Sequence, residues 1–189
     1  MDLGFDIDGV ISDFVRSFAS VVKKHYDLDL AEEDIHYHDL DLVLGISKEE
    51  RDKLIRETLL QDLPLIADAK KALVKLHSEG HQIVILTARP RDMVKVTKEW
   101  LKKKGIPYSQ FIQLHEGKKH VAGVNLDLVV EDNLEDAIGW SQKVKNILVY
   151  DHPWNRSFNV KDLFKRVHNW NDVLEEIKRV ERCTVIQGP

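Results

Sequence analysis

Apolar runs at Leu3–Ile7, Gln82–Thr87, Phe111–Leu114, Leu126–Glu131 and Asn146–Tyr150 punctuate this chain, and helical patterns fill most of the gaps between them. Strands that alternate with helices pair in parallel, because each crossover helix returns the chain to the same end of the sheet. The pattern predicts an α/β fold, a three-layer Rossmann-like parallel sheet with helices on both faces. The helices have readable ends. Ala67–Ser78 stops before Gly80, and Arg91–Lys103 stops before Gly105 with Pro107 just beyond. Asn133–Ser141 follows the fourth strand, and Asn171–Arg182 closes the chain, with Asn169 or Asn171 available as its cap.

Residues 13–64 break the alternation. They hold two helical patterns, Phe14–Tyr26 and Lys48–Leu60, around a polar middle with no convincing strand. The expected organisation is a core domain of residues 1–12 and 65–189 with a small helical cap, residues 13–64, inserted after the first strand. Ligands of open parallel sheets bind beyond the carboxyl ends of the strands, so an insert departing there can roof a site. The same helices can also simply cover a sheet face. A chain of 189 residues suits one domain with such an insertion.

The first strand runs into Asp6-Ile7-Asp8-Gly9. Residues two apart in a strand point the same way, so continued extension would aim both carboxylates at one spot. Two like charges held that close call for a cation or a shared proton between them. The other reading is an acidic turn that merely ends the strand. The residues at the ends of the later strands bear on the choice. The second strand ends Thr87-Ala88-Arg89, a hydroxyl followed by backbone donors, and the fourth ends Glu131-Asp132-Asn133, a second acidic pair. Between them lies Gly117-Lys118-Lys119-His120. Carboxylates around a vacant centre suit Mg²⁺, which binds through one or two of them plus substrate phosphate oxygens. A hydroxyl, backbone amides and an ammonium suit the phosphate itself. An oriented aspartate can attack phosphorus, and a second can give a proton to the departing alkoxide and later take one from water.

This ordered set resembles the haloacid dehalogenase (HAD) superfamily of Mg²⁺-dependent phosphohydrolases. The resemblance implies Asp6 as nucleophile and metal ligand, and Asp8 as general acid and base that also lends its backbone carbonyl to the metal. Thr87 would bind the phosphoryl group together with the Ala88 amide. Asp132 would ligate the metal, with Glu131 beside it holding metal-bound water. One lysine is expected at the phosphate, and spacing to the strand favours Lys118 over Lys119; a lysine pair is also what a solvated helix face looks like. Asp8 argues against the dehalogenase branch, since a halide leaving group needs no acid.

The wording FDIDGVISDF, ILTARP and VVEDN is similar to the branch of 5′-nucleotidases and 5′(3′)-deoxyribonucleotidases, and the segments Tyr150–Arg156 and Arg166–Trp170 resemble its bacterial nucleotidases. The implied substrate is a small phosphorylated metabolite, a nucleoside 5′-monophosphate, and the implied assembly is a monomer or homodimer. Trp154 follows the fifth strand and can cover a substrate, or else, like Trp170, serve as a packing aromatic. His36, Tyr37 and His38 read as lid or surface residues, because a His-x-His pair without further ligands does not make a zinc site. A sugar-phosphate phosphatase or phosphomutase of the same fold is the nearest alternative. Receiver modules gather similar residues in a different order and lack the insert, and an inactive binding fold is disfavoured by the intact acidic set.

Composition narrows the partners. With 28 basic against 32 acidic residues the net charge is −4, with no basic excess for a nucleic-acid polymer. The single Cys183 precludes an intrachain disulfide and suits a reducing compartment. No apolar run of about 18 residues is present to span a membrane, and no leader pattern opens the chain, so the expected location is the cytoplasm.

Overall fold

A computed structural model describes residues 1–115, 118–159 and 163–186; Gly117 of the lysine-bearing run lies outside them. In chain order the elements are β1 (Asp2–Asp6), α1 (Phe14–Tyr26), α2 (Leu40–Leu44), α3 (Lys48–Leu59), α4 (Ala69–Ser78), β2 (Gln82–Thr87), α5 (Val94–Lys104), β3 (Gln110–Gln113), β4 (Leu128–Glu131), α6 (Leu134–Trp140), β5 (Asn146–Tyr150), α7 (Pro153–Arg156), β6 (Lys165–Val167) and α8 (Trp170–Ile186). The strands form one parallel sheet in the order β3-β2-β1-β4-β5-β6. The two central strands β1 and β4 therefore carry Asp6 and Glu131 to neighbouring points at the same edge.

Alternate side chains divide between the faces. Leu3, Phe5, Ile85, Val130 and Leu148 pack under α4, α5 and α8 with Leu73, Leu101 and Trp170, while Val84, Leu86, Val129 and Val149 pack under α6 with Ala137 and Trp140. Each fully buried aliphatic or aromatic side chain of this kind contributes roughly 1.5–3 kcal/mol. Gly4 belongs to the second face because a Cβ there would come within 2.8 Å of Leu126 and 2.9 Å of Leu86.

Four local differences from the sequence reading have plain causes. β1 stops at Asp6, because the Ile7 carbonyl turns to accept the N–H groups of Ile11 and Ser12 at 2.8 and 2.7 Å. α4 starts at Ala69, since Asp68 has φ +64° and lies outside helical space. The residues Arg91–Met93 form a 3-10 turn before α5. β6 is an edge strand of three residues with only Val167 buried, too short to show alternation. At α8, Asn169 is the cap, its Oδ1 accepting the N–H groups of Asn171 and Asp172 at 2.9 and 3.0 Å.

Residues 13–64 hold α1, a 3-10 turn at Glu32–Asp34, α2 and α3. The insertion leaves and returns side by side: Asp13 N–H donates to Pro64 O and Ile66 N–H to Ile11 O, both at 2.9 Å. Its own apolar cluster joins Phe18, Val21, Val22, Ile35, Leu40 and Leu54, and one residue from beyond β5, Trp154, completes it.

Candidate active site

The turn after β1 is built around one glycine. Gly9 has φ +81°, and a Cβ there would fall 2.3 Å from Asp132 Oδ2, so this position needs both the left-handed backbone and the missing side chain. That close approach sets the loop after β1 directly against the loop after β4. Asp6, Glu131 and Asp132 each place a carboxylate oxygen within 4.8 Å of the others, all buried.

Of the two adjacent lysines, the structure brings Lys119 into this centre and leaves Lys118 exposed. Lys119 Nζ lies 2.8 Å from Asp6 Oδ1, 3.1 Å from Glu131 Oε2 and 3.5 Å from Asp136 Oδ2. Burial opposes charge on this ammonium, but the three carboxylates prevail and raise its pKa well above the ordinary value. Burial also pushes Glu131 well up, and it lifts Asp6 to about 7, where Lys119 pulls down and Asp132 and Asp8 push up.

Asp8 stands apart from that cluster. Arg89 Nε donates to its Oδ2 at 2.7 Å and a terminal guanidinium nitrogen donates to its Oδ1 at 2.6 Å, while Ser12 Oγ donates to Oδ1 at 2.7 Å. Burial works to raise the Asp8 pKa, yet the charge and hydrogen bonds of Arg89 outweigh it and hold the carboxyl below its usual range. Thr87 is buried with its hydroxyl accepting the Arg89 N–H at 3.2 Å, and Ala88 lines the cavity above. Asn133 caps α6, its Oδ1 accepting the Glu135 N–H at 2.7 Å.

Three contributors escaped the sequence reading. Arg89 was legible only as part of a run of backbone donors, although an arginine two residues past a strand end opposite an acidic pair is a usable signal. Asp136, fully buried on the first turn of α6, accepts the Lys119 N–H at 3.3 Å; it was masked by the usual exposure of helix acids. His152 bridges core and insertion, with Nε2 donating to Gly9 O at 2.6 Å and Nδ1 facing Glu32 Oε1 at 2.7 Å. Both ring nitrogens meet acceptors, so the doubly protonated ring satisfies both. Burial lowers the His152 pKa, but the Glu32 hydrogen bond and neighbouring acids raise it overall. Trp154 lines the cavity with its ring stacked on His152 at 4.2 Å.

A cavity of about 290 Å³ lies between this edge and the insertion. Asp6, Asp8, Lys119 and Asp132 form its floor; Phe14, Ile35, Ile55, Arg51, Arg56 and His38 face it from the insertion. Tyr37 is exposed and His36 lies at the surface. The floor gathers five carboxylates, counting Glu131 and Asp136, against Lys119 and Arg89. Asp136 Oδ2 is buried and makes no hydrogen bond among the described residues, its one close charge there being the Lys119 ammonium at 3.5 Å. This surplus of oxygen donors fits a hard divalent cation.

A family model described as "5' nucleotidase, deoxy (Pyrimidine), cytosolic type C protein" matches residues 1–183. The chain belongs to this nucleotidase family. It is 27% identical over 185 residues to a nucleotidase of Clostridium acetobutylicum, covering 95% of each chain, and 27% identical over 179 residues to the Bacillus subtilis protein YqfW, covering 92% of this chain and 91% of that one. Among solved structures, a protein from Clostridium acetobutylicum described as a "predicted phosphatase" superposes with a TM-score of 0.68 at 13% identity, over 94% of this chain and 97% of that one. A HAD family hydrolase from Deinococcus radiodurans, solved with phosphate and sodium bound, gives 0.61 at 13% identity, over 95% and 96%. At such identities these structures establish the shared HAD fold. As a member of the nucleotidase family, the protein is a phosphoric monoester hydrolase acting on a small phosphorylated substrate. No helix among the described residues is long and apolar enough to cross a membrane.

Proposed function

We propose that the protein is a Mg²⁺-dependent nucleotidase that hydrolyses nucleoside 5′-monophosphates through an aspartyl phosphate on Asp6, with residues 13–64 as the cap over a core of residues 1–12 and 65–189. The observation that carries the reading is the placement of Asp6 on the cavity floor, one oxygen on Lys119 and the carboxylates of Glu131 and Asp132 alongside. Asp6, Asp132 and the Asp8 backbone carbonyl would hold Mg²⁺, with Glu131 behind them, and the ion would neutralise phosphate charge.

In this mechanism an Asp6 oxygen forms a bond to phosphorus as the ester oxygen leaves with a proton from Asp8. Water then attacks phosphorus and gives its proton to Asp8, and the phosphate departs, restoring the Asp6 carboxylate. The Arg89 pair keeps Asp8 ionised in the free enzyme, so this pair has to loosen for Asp8 to carry the proton. The Thr87 hydroxyl, the Ala88 amide and the Lys119 ammonium supply donors for the phosphoryl oxygens. Phe14, Ile35 and Ile55 give the cavity apolar walls for a base, and the family and its bacterial relatives support the nucleotide class. A cytoplasmic location is consistent with that class.

A screen of nucleoside and deoxynucleoside 5′-monophosphates against sugar phosphates, with Mg²⁺ present, tests the assignment. Nucleotides are expected to give the highest kcat/KM, and Asp6→Asn is expected to abolish turnover. A preference for sugar phosphates would overturn the substrate class, and activity in Asp6→Asn would overturn the mechanism. Absence of p-nitrophenyl phosphate turnover would point instead to a phosphoacceptor or binding module.

A further inference from the structure

Directly after β5, three of four consecutive side chains reach into the centre. His152 donates to the carbonyl of Gly9 at 2.6 Å, Trp154 Nε1 donates to Asp132 Oδ2 at 3.2 Å, and Asn155 Nδ2 donates to the Asp132 carbonyl at 2.9 Å. Gly9 and Asp132 are also the two residues whose close approach excludes a Cβ. One short segment thus grips both sides of the contact that joins the loops after β1 and β4.

The grip on Asp132 is specific. Its Oδ2 is wedged between the bare Cα of Gly9 and the indole N–H, which fixes the carboxylate plane and leaves the other oxygen uncommitted to Trp154. Asn155 is itself held, its second hydrogen bond going to Tyr150 O at 2.8 Å and its own backbone carbonyl accepting Arg166 at 2.9 Å. Trp154 cannot swing away cheaply: it is 8% exposed, is stacked within 6° of the His152 ring, and is packed into the apolar cluster of the insertion. The segment also grips the insertion by polar contacts, His152 to Glu32 at 2.7 Å and Arg156 to Glu33 at 2.9 Å.

We propose that Trp154 is a positioning residue for the metal site: its indole N–H sets the orientation of the Asp132 carboxylate, and its seat in the insertion makes that orientation depend on a docked cap. This rests on the reading of Asp132 as a metal ligand. Hydrogen-bond partners behind a ligand typically govern metal affinity by 10–100-fold. An indole that served only as packing would have no such effect.

The test is direct binding of Mn²⁺, as a spectroscopic stand-in for Mg²⁺, by electron paramagnetic resonance on the full chain without substrate, for the wild type, Trp154→Phe and Asp132→Asn. Trp154→Phe keeps an aromatic ring in the cluster and removes the donor; it is expected to weaken Mn²⁺ binding about tenfold or more, with kcat recovering at saturating Mg²⁺. Should that variant not fold, benzothienylalanine at position 154, which keeps the indole shape and replaces N–H by sulfur, makes the same comparison. Wild-type Mn²⁺ affinity without the N–H, alongside a loss in Asp132→Asn, would overturn the positioning role and leave the metal reading standing. Unchanged affinity in Asp132→Asn would overturn the metal reading itself.

Discussion

Arg89→Met isolates the pair that holds Asp8. The Arg89 side chain is 3% exposed and that of Asp8 28% exposed, so the substitution leaves a carboxylate that has lost two charge-assisted bonds and keeps only the Ser12 hydroxyl. Stranding one partner of a fully buried pair costs about 3–5 kcal/mol. Asp8 still meets solvent in the cavity, which screens the loss to about 2–3 kcal/mol. Methionine retains much of the apolar contact over Trp100, whose ring lies 5.3 Å from the guanidinium carbon. For a chain of this size such a loss lowers Tm by roughly 4–12 °C. The assay is a double-mutant cycle by denaturant unfolding, with Arg89→Met, Asp8→Asn and the double variant, in which Asp8→Asn should recover a large part of the loss. The pair depresses the folded pKa of Asp8 below the ordinary 3.8, so its contribution is present above that value and is lost as pH falls through the folded pKa. The gap between wild type and Arg89→Met should therefore close in strong acid. Additivity within about 0.5 kcal/mol, or a gap that ignores pH, would refute the reasoning.

Lys119→Met should lower kcat by about 10²–10³-fold, as expected for removing a preorganised donor to the transition state, whereas Lys118→Met should lose less than about threefold on the same reasoning; steady-state kinetics of the two variants decides. Gly9→Ala should destabilise by at least about 1–3 kcal/mol through its left-handed backbone, with further loss from the push on Asp132, measured by thermal unfolding. The folded pKa of Asp6 is raised from 3.8 to about 7 in the metal-free protein, so its stability contribution is full below 3.8 and is lost as pH rises through 7. Melts in chelator should fall across that window, and Mg²⁺ should restore most stability at its upper end; chelator should also abolish turnover.

The legible parts of the fold were those whose signal is repeated many times over. β2 and β5 each bury a run of side chains on both faces, and α1 carries a stripe of Phe18, Val21 and Val22, so hydrophobic pattern alone located them. α2 and β6 are too short for any period to register. The acidic pairs at the ends of β1 and β4 stood out because charge at the end of an apolar run is conspicuous. The choice between Lys118 and Lys119 did not, because one residue of a 3-10 turn rotates a side chain by about a third of a circle, and the inward lysine is distinguished only by the carboxylates of Asp6, Glu131 and Asp136 that the folded chain gathers around it. Trp154 illustrates the same limit: an aromatic after a strand has many uses, and only its hydrogen-bond partner and neighbours distinguish them.

The central position of β1 also governs when this protein comes into being. Its neighbours are β2 and β4, with Phe5 paired to Ile85 on one side and to Val130 on the other. The first of the six strands to leave the ribosome is thus a lone apolar segment that must wait for residues made much later, while the helices of residues 13–64 have mostly local contacts to satisfy. Such long-range pairing is slow and leaves sticky surface uncovered in the meantime. Asp6 and Asp132 meet only once β4 has been added, and Trp154 joins them only after β5, so a chain released before β4 carries Asp6 without the carboxylates and the indole that surround it in the folded protein.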